Sequence, residues 1–194
     1  MLVFHNKINQ LFIFTLFFII INNAVQANNI KNSAVIFMYH KFDISKYPST
    51  NITLDQFEKH LAEFSQPKYN VKSLDYIVDT IINDGDLPNN TIGISVDDAD
   101  KSFLTTAWPR FKEKGFPVTL FVTTSTIVKN NKNYLNWDEI RQLKAEGVVI
   151  GSHSHTHEHL ADYTLEELQK EIEKSNKIFL KEIGKIPNLY AYPY

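Results

Sequence analysis

The 194-residue chain contains no cysteine. Disulfide bridges, thiolate metal sites and a thiol nucleophile are therefore excluded, and any metal ion has to be held by oxygen and imidazole groups. An excess of basic charge is also missing, because 20 lysines and arginines stand against 22 aspartates and glutamates. We therefore expect no nucleic-acid partner. The composition, 43% hydrophobic and 22% charged, is typical of one globular domain.

Apolar runs are short except near the amino terminus. Residues 11–21 are apolar apart from Thr15, and Val25 and Ala27 behind them suit a cleavage site. Eleven helical residues span roughly 17 Å, well below the ~30 Å of a bilayer core. We expect residues 1–27 to be a secretory signal peptide rather than an uncleaved anchor. The mature chain is then secreted to the periplasm or the extracellular space, without stable membrane insertion.

Behind this leader, short apolar runs alternate with amphipathic segments. Capping boxes of Thr53 with Gln56 and of Thr164 with Glu167 mark two helix starts. Strands that alternate with helices indicate an α/β fold with a parallel sheet, either doubly wound or closed as a barrel. Strands are expected at residues 34–39, 91–96, 117–122, 148–152 and 189–192, and helices from 53, from 73, over 102–114 and 137–146, and from 164 to a stop at Gly184.

Acidic and imidazole side chains follow two of these strands. Asp97 and Asp98 follow the strand at 91–96, and four of the seven histidines lie within residues 153–159, after the strand at 148–152. Two carboxylates ~6 Å apart repel by roughly 3 kcal/mol at an effective dielectric constant near 20, which a bound cation would offset. Histidines four residues apart share one face of a helical turn. The spacing fits His153 with His157 as well as it fits His155 with His159.

Each segment alone has an ordinary explanation. One aspartate can cap the next helix while the other is solvated, and the histidines can form a solvated loop. Together they supply a two-histidine, one-carboxylate set that leaves coordination positions open, as catalytic metal sites do. Zinc fits this set, and iron, cobalt and nickel are alternatives. A second, unligated carboxylate could accept a proton, so the pattern predicts metal-assisted hydrolysis.

Three segments resemble the motifs of a known family, the polysaccharide deacetylases with a NodB-type homology domain. Residues 94–99, Ile-Ser-Val-Asp-Asp-Ala, resemble the first motif, usually Thr-Phe-Asp-Asp-Gly. Residues 151–157, Gly-Ser-His-Ser-His-Thr-His, resemble the second, His-Ser/Thr-x-x-His. Residues 191–194, Ala-Tyr-Pro-Tyr, resemble the third, Arg-x-Pro-Tyr. The resemblance covers about residues 33–194 and looks most like the branch that acts on poly-N-acetylglucosamine.

The resemblance implies a role for five residues. Asp97 matches the general base, and Asp98 matches a metal ligand. His153 and His157 match the two histidine ligands, which selects one of the two possible pairs. Tyr194 matches the aromatic residue whose backbone N–H helps to hold the oxyanion.

The chain also departs from the family pattern. Ala191 stands where the third motif has an arginine that orients the base. The fourth and fifth motifs are absent, and with them the histidine that the family uses to protonate the leaving amine. We therefore expect residues 28–194 to be a NodB homology domain truncated after the third motif. Its fold would be a distorted (β/α) barrel that is incomplete at the carboxyl terminus.

The expected function is that of a metal-dependent hydrolase removing N-acetyl groups from an extracellular or cell-envelope polysaccharide. The alternative is a catalytically inactive, truncated remnant that binds a metal or a carbohydrate. An iron oxygenase with the same ligand types would have a jelly roll of many short strands, which the alternation of strands and helices contradicts.

Overall fold

The computed structural model describes residues 33–129 and 131–194. The expected signal peptide, residues 1–27, lies outside the described residues, as does the start of the expected domain at 28–32, so both stay predictions. Within the part of the chain that is described, no helix has the length and apolar character needed to cross a bilayer.

The strands of the described part pair in parallel throughout. The main sheet has the order β1-β5-β6-β7, with β4 also paired to β5, while β2 and β3 form a separate ribbon. Strand β1 pairs with β5 along its whole length, from Ala34 beside Thr91 to Tyr39 beside Val96. The strands are β1 (Ala34–Tyr39), β2 (Lys41–Phe42), β3 (Asn51–Ile52), β4 (Asn70–Val71), β5 (Thr91–Val96), β6 (Thr119–Val122) and β7 (Val149–Ser152).

Several helices begin at a residue whose side chain caps the first turn. Both expected capping boxes are formed, and Asn136 with Glu139 makes a third. Gly184 ends the longest helix in a left-handed conformation, with φ of 71°, which glycine adopts without steric cost. The helices are α1 (Leu54–Phe64), α2 (Leu74–Ile82), α3 (Trp108–Lys114), α4 (Thr124–Val128), α5 (Trp137–Ala145) and α6 (Leu165–Ile183).

The core is built around the central strand β5. All six of its residues are buried, as expected for a parallel strand covered on both faces. Next to it, the Phe57 ring of α1 lies 4.9 Å from that of Phe42 in β2 and 5.0 Å from that of Phe111 in α3, measured between ring centroids. These rings belong to the same hydrophobic core as Val96, the last residue of β5.

The expected α/β class is confirmed, and no closed barrel is detected among the described residues. The strand expected at 189–192 is wrong, because only Tyr190 pairs, in a parallel bridge with Ser152. Pro193 has no N–H to extend that ladder. The helix expected over 102–114 contains a π-helical segment, Phe103–Ala107, before the α-helix in which Pro109 lacks an N–H to donate.

Candidate metal centre

Two short segments converge at the carboxyl edge of the sheet. Asp97 and Asp98 follow β5, and residues 153–157 follow β7. Both segments turn sharply through left-handed backbone, with φ of 70° at Asp98, 66° at Ser154 and 64° at His157. This conformation costs a residue other than glycine roughly 1–2 kcal/mol, and such strain concentrates at functional sites.

Asp98, His153 and His157 each direct one ligand atom to a common point. These atoms all lie within 4.8 Å of one another. The Nε2 atoms of the two histidines are 3.2 Å apart. Asp98 Oδ1 lies 3.2 Å from Nε2 of His157 and 3.8 Å from Nε2 of His153. The structure therefore brings together the three side chains expected to ligate a metal.

This arrangement fits a divalent cation. Two ligands at 2.0–2.1 Å from a tetrahedral zinc ion would be about 3.3 Å apart, close to the separations observed. His153 Nδ1 is 2.9 Å from the carbonyl oxygen of Ala191 and donates to it, which leaves Nε2 unprotonated and free to ligate. The three side chains supply two imidazoles and one carboxylate, which leaves further coordination positions open.

The other two histidines of the run point elsewhere. His155 is buried, and its Nδ1 lies 2.8 Å from the hydroxyl of Thr124. His159 instead contacts the Asp162 carboxylate, at 3.1 Å. Of the two pairs that the spacing allowed, only His153 with His157 faces Asp98. The helical turn expected to join them is wrong, because residues 153–157 form a loop.

The charges within the triad stabilise one another. Although burial alone would raise the pKa of Asp98, the hydrogen bond from His157 and the charges of the surrounding histidines together hold that pKa below its ordinary value. The same hydrogen bond with Asp98 raises the pKa of His157. Burial lowers the pKa of His153, which keeps its ring neutral, as a metal ligand must be.

Asp97 lies next to this triad in a different environment. Its side chain is buried, with only 3% of the residue exposed. Oδ1 is buried without a hydrogen-bond partner among the described residues. Burial, with a further contribution from the charge of Asp98, raises the pKa of Asp97 to about 7. A carboxylate with this pKa can accept a proton near neutral pH.

The loop that carries the histidines is anchored by a side chain that sequence reasoning missed. Glu171 of α6 is buried, and its Oε1 accepts hydrogen bonds from the backbone N–H of His155 at 2.8 Å, from the N–H of Thr156 at 2.5 Å and from the Thr156 hydroxyl at 2.8 Å. The signal was present in the sequence. Glu171 and Ser175 interrupt the apolar stripe of α6 at positions that face the protein interior.

Tyr194 lies beside the triad. Its ring centroid is 5.2 Å from that of His157, and 84% of the residue is exposed. The proposed role of its backbone N–H stays a prediction. Ala191, which stands where the third motif of the family has an arginine, contributes its carbonyl oxygen to His153.

Fold and site together define a parallel α/β protein with an open, mixed imidazole and carboxylate centre at the carboxyl edge of its sheet. A family model described as polysaccharide deacetylase matches residues 84–194, more than half of the chain. The chain therefore belongs to the polysaccharide deacetylase family.

Individual relatives agree with this assignment. The poly-β-1,6-N-acetyl-D-glucosamine N-deacetylase of Staphylococcus aureus (strain MRSA252) is 24% identical over 187 residues, covering 89% of this chain and 62% of that protein. The protein YxkH of Bacillus subtilis (strain 168) is also 24% identical, over 158 residues, covering 81% of this chain and 55% of that protein. The chain thus spans between about half and two thirds of the length of these curated relatives.

Solved structures show the same fold. The deacetylase PplD of Streptococcus pyogenes, in complex with acetate, superimposes with a TM-score of 0.75 at 19% identity, covering 85% of this chain and 74% of that one. IcaB from Ammonifex degensii gives a TM-score of 0.72 at 21% identity, with coverage of 83% and 74%. Because the identities are this low, these comparisons support a shared fold and nothing further.

Proposed function

We propose that this protein is a metal-dependent hydrolase that removes N-acetyl groups from an extracellular or cell-envelope polysaccharide. The observation that carries the proposal is a preformed triad of Asp98, His153 and His157 beside a buried carboxylate, Asp97, whose Oδ1 has no partner among the described residues. Hydrolysis of the amide adds water across its C–N bond and gives acetate and a free amine. One group has to take a proton from the water, and another has to stabilise the oxyanion.

Asp98, His153 and His157 would hold the metal, with zinc as our first choice and iron, cobalt or nickel as alternatives. When bound, such an ion polarises the amide carbonyl and makes water a better nucleophile near neutral pH. The hydrogen bond from His153 to Ala191 fixes the tautomer that this binding requires.

Asp97 would act as the general base. It is adjacent to Asp98 in the chain, and a pKa of about 7 matches the proton affinity of a base to neutral pH. The backbone N–H of Tyr194 would donate a hydrogen bond to the oxyanion. The ring of Tyr194 packs against that of His157, which places this residue beside the triad.

The relatives support the substrate class. The S. aureus protein is named for poly-β-1,6-N-acetyl-D-glucosamine, and the S. pyogenes deacetylase was solved with acetate, which deacetylation releases. Together with the expected signal peptide at residues 1–27, this favours an N-acetylated polymer outside the cytoplasm. We propose poly-N-acetylglucosamine as the first polymer to test.

The proposal is tested by measuring acetate release. The full chain, loaded in turn with zinc, cobalt, nickel and ferrous iron, is incubated with N-acetylglucosamine oligosaccharides of β-1,4 and β-1,6 linkage. We expect acetate release with at least one metal, and its loss on chelation. A folded chain that binds metal stoichiometrically yet releases no acetate from either oligosaccharide would overturn the proposal in favour of an inactive, metal-binding relative.

A further inference from the structure

A cleft of about 590 Å³ is lined by chain segments that adjoin the one carrying Asp97 and Asp98. One wall comes from β2 and the loop behind it, and the opposite wall comes from residues 131–134. Its floor is the segment that directly continues the chain from Asp98, beginning at Asp100. None of the groups assigned to hydrolysis above lines this cleft.

Lys41 is an unusual lining residue. Only 8% of it is exposed, yet its ammonium lies within 4 Å of no carboxylate in the described part of the chain. Its contact is the ring of Tyr47, with Nζ 5.1 Å from the ring centroid. Lys101, in the same cleft, has a carboxylate partner, since its Nζ is 2.5 Å from Glu139 Oε1. The side chain of Lys41 is packed along its length, while its ammonium lines the cleft without a carboxylate partner among the described residues and is available to an anion.

The surrounding charges favour an anion as well. Nζ of Lys46 approaches the same Tyr47 ring, at 5.3 Å from its centroid. Two carboxylates also line the cleft, against four lysines, and their hydrogen bonds are to neutral donors. Oδ1 of Asp100 accepts from the backbone N–H of Ser102 at 2.9 Å and from its hydroxyl at 2.6 Å, and Asp43 faces the start of α1.

The cleft is tied to the candidate metal centre by backbone hydrogen bonds. The N–H of Leu135 donates to the carbonyl oxygen of Ala99, the residue after Asp98, at 2.9 Å. On the other wall, the N–H of Asp97 donates to the carbonyl oxygen of Tyr39, two residues before Lys41, at 2.8 Å. A polymer whose acetamido group reaches the triad could therefore place its neighbouring residue in the cleft.

We propose that this cleft binds an anionic substituent, a carboxylate or a phosphate, carried by the polysaccharide next to the N-acetyl group that is removed. The inference rests on the proposed deacetylase function for the identity of the carrier. The anion-binding site itself does not depend on that function, because it is defined by Lys41, Lys46 and Tyr47. A charge-assisted hydrogen bond from Lys41 would be the main contact.

The first experiment measures binding directly. Inorganic phosphate and succinate are titrated into the zinc-loaded full chain and followed by calorimetry. We expect both to bind to the wild type and Lys41→Met to weaken them about tenfold, the effect of losing one charge-assisted hydrogen bond. Lys41→Arg should retain most of the affinity. Lys59→Met, which removes an exposed lysine on α1, is the matched control and should change nothing.

The second experiment compares substrates. Acetate release is measured from one β-linked N-acetylglucosamine oligosaccharide in neutral, O-succinylated and O-phosphorylated forms. The wild type should prefer at least one charged form, which identifies the anion, and Lys41→Met should reduce that preference about tenfold. Thermal unfolding of each variant checks that it is folded.

The outcomes separate the two proposals. Equal phosphate and succinate affinities in wild type and folded Lys41→Met would overturn the anion site, whatever the activity. A wild type that prefers the neutral oligosaccharide would overturn the assignment of the anion to the substrate. If no oligosaccharide loses acetate while anion binding still depends on Lys41, the deacetylase function fails and the anion site stands.

Discussion

The two segments that form the site are supported very differently. On the histidine side, His153 donates to Ala191, the backbone N–H of His157 donates to the Ser154 hydroxyl at 3.0 Å, and Glu171 accepts three hydrogen bonds from the loop. On the aspartate side, Asp97 Oδ1 has no partner among the described residues. The protein thus fixes the groups that would hold a cation and leaves the adjacent carboxylate free to exchange a proton.

This difference separates metal binding from catalysis. Ligands that are already held in place by hydrogen bonds to the rest of the protein lose little conformational freedom when an ion binds. A base gains from the opposite condition, because a hydrogen bond to its charged form would lower its pKa and weaken it. Variants of Asp97 and variants of the three ligands should therefore affect different measurements.

The largest effect is expected on turnover from Asp97→Asn. The amide cannot accept the proton, so the rate of acetate release should fall by roughly 10²- to 10⁴-fold. Zinc affinity, measured by competition with a chromophoric chelator, should stay within about twofold of the wild type. If zinc affinity fell as much as acetate release, Asp97 would itself be a ligand, and the roles of base and ligand would not be separate.

Asp98→Asn tests the ligand on the same side. The substitution removes the negative charge of the triad and one ligand oxygen. Zinc affinity should therefore fall by more than the ~100-fold that loss of a hydrogen bond to a ligand can cause. The matched control is Asp162→Asn, which changes an exposed aspartate paired with His159. Retained zinc affinity in Asp98→Asn would contradict the triad.

Local signals in the sequence predicted most of the elements. Capping boxes at Thr53 and Thr164 placed two helix starts, and β1 and β5 have the expected bounds. Failures occurred where long-range contacts decide the structure. The segment at 189–192 has strand character, but it forms only one bridge beside Pro193. The helix α4 was missed because Thr-Ser-Thr-Ile-Val, rich in β-branched residues, has low helix propensity.

The residues of the site were predicted from the sequence, but the contacts that hold them in place were not. Spacing alone left two histidine pairs open, and the second motif of the family selected His153 with His157. In the structure, the left-handed backbone of Ser154 turns the chain after His153. His153 and His157 therefore face Asp98, whereas His155 and His159 point elsewhere. The contact of Glu171 with the loop joins residues 15 or 16 positions apart, and no local pattern specifies such a pairing.

A smaller effect is expected from the anchor of the histidine loop. Glu171→Ala leaves the N–H groups of His155 and Thr156 without their acceptor, so zinc affinity should fall about tenfold. Glu171→Gln keeps an acceptor oxygen of the same reach and should restore most of the loss. Glu173→Gln, on the exposed face of the same helix, is the control. Unchanged zinc affinity in a folded Glu171→Ala would show that the loop is held without this contact.

The last prediction concerns stability rather than zinc or turnover, and it compares Asp97 in the folded chain with Asp97 in the unfolded chain. Burial raises the pKa of Asp97 from its ordinary value of 3.8 to about 7. Between these values the folded, metal-free chain retains a proton that the unfolded chain releases. The contribution of Asp97 to stability therefore declines as pH rises from about 4 to 7, by about 1.4 kcal/mol for each pKa unit of the shift.

Asp97→Asn removes this ionisation, so the metal-free variant should gain stability over the metal-free wild type as the pH rises. Thermal unfolding in the presence of a chelator should show a difference in Tm that grows by roughly 10 °C between pH 4 and pH 8. Asp162→Asn, whose parent carboxylate is exposed, should show no such growth. If the Tm difference between Asp97→Asn and the wild type did not change with pH, Asp97 would ionise in the folded chain as easily as in water. The lack of a hydrogen-bond donor to its Oδ1 among the described residues would then not raise its pKa towards that of a general base.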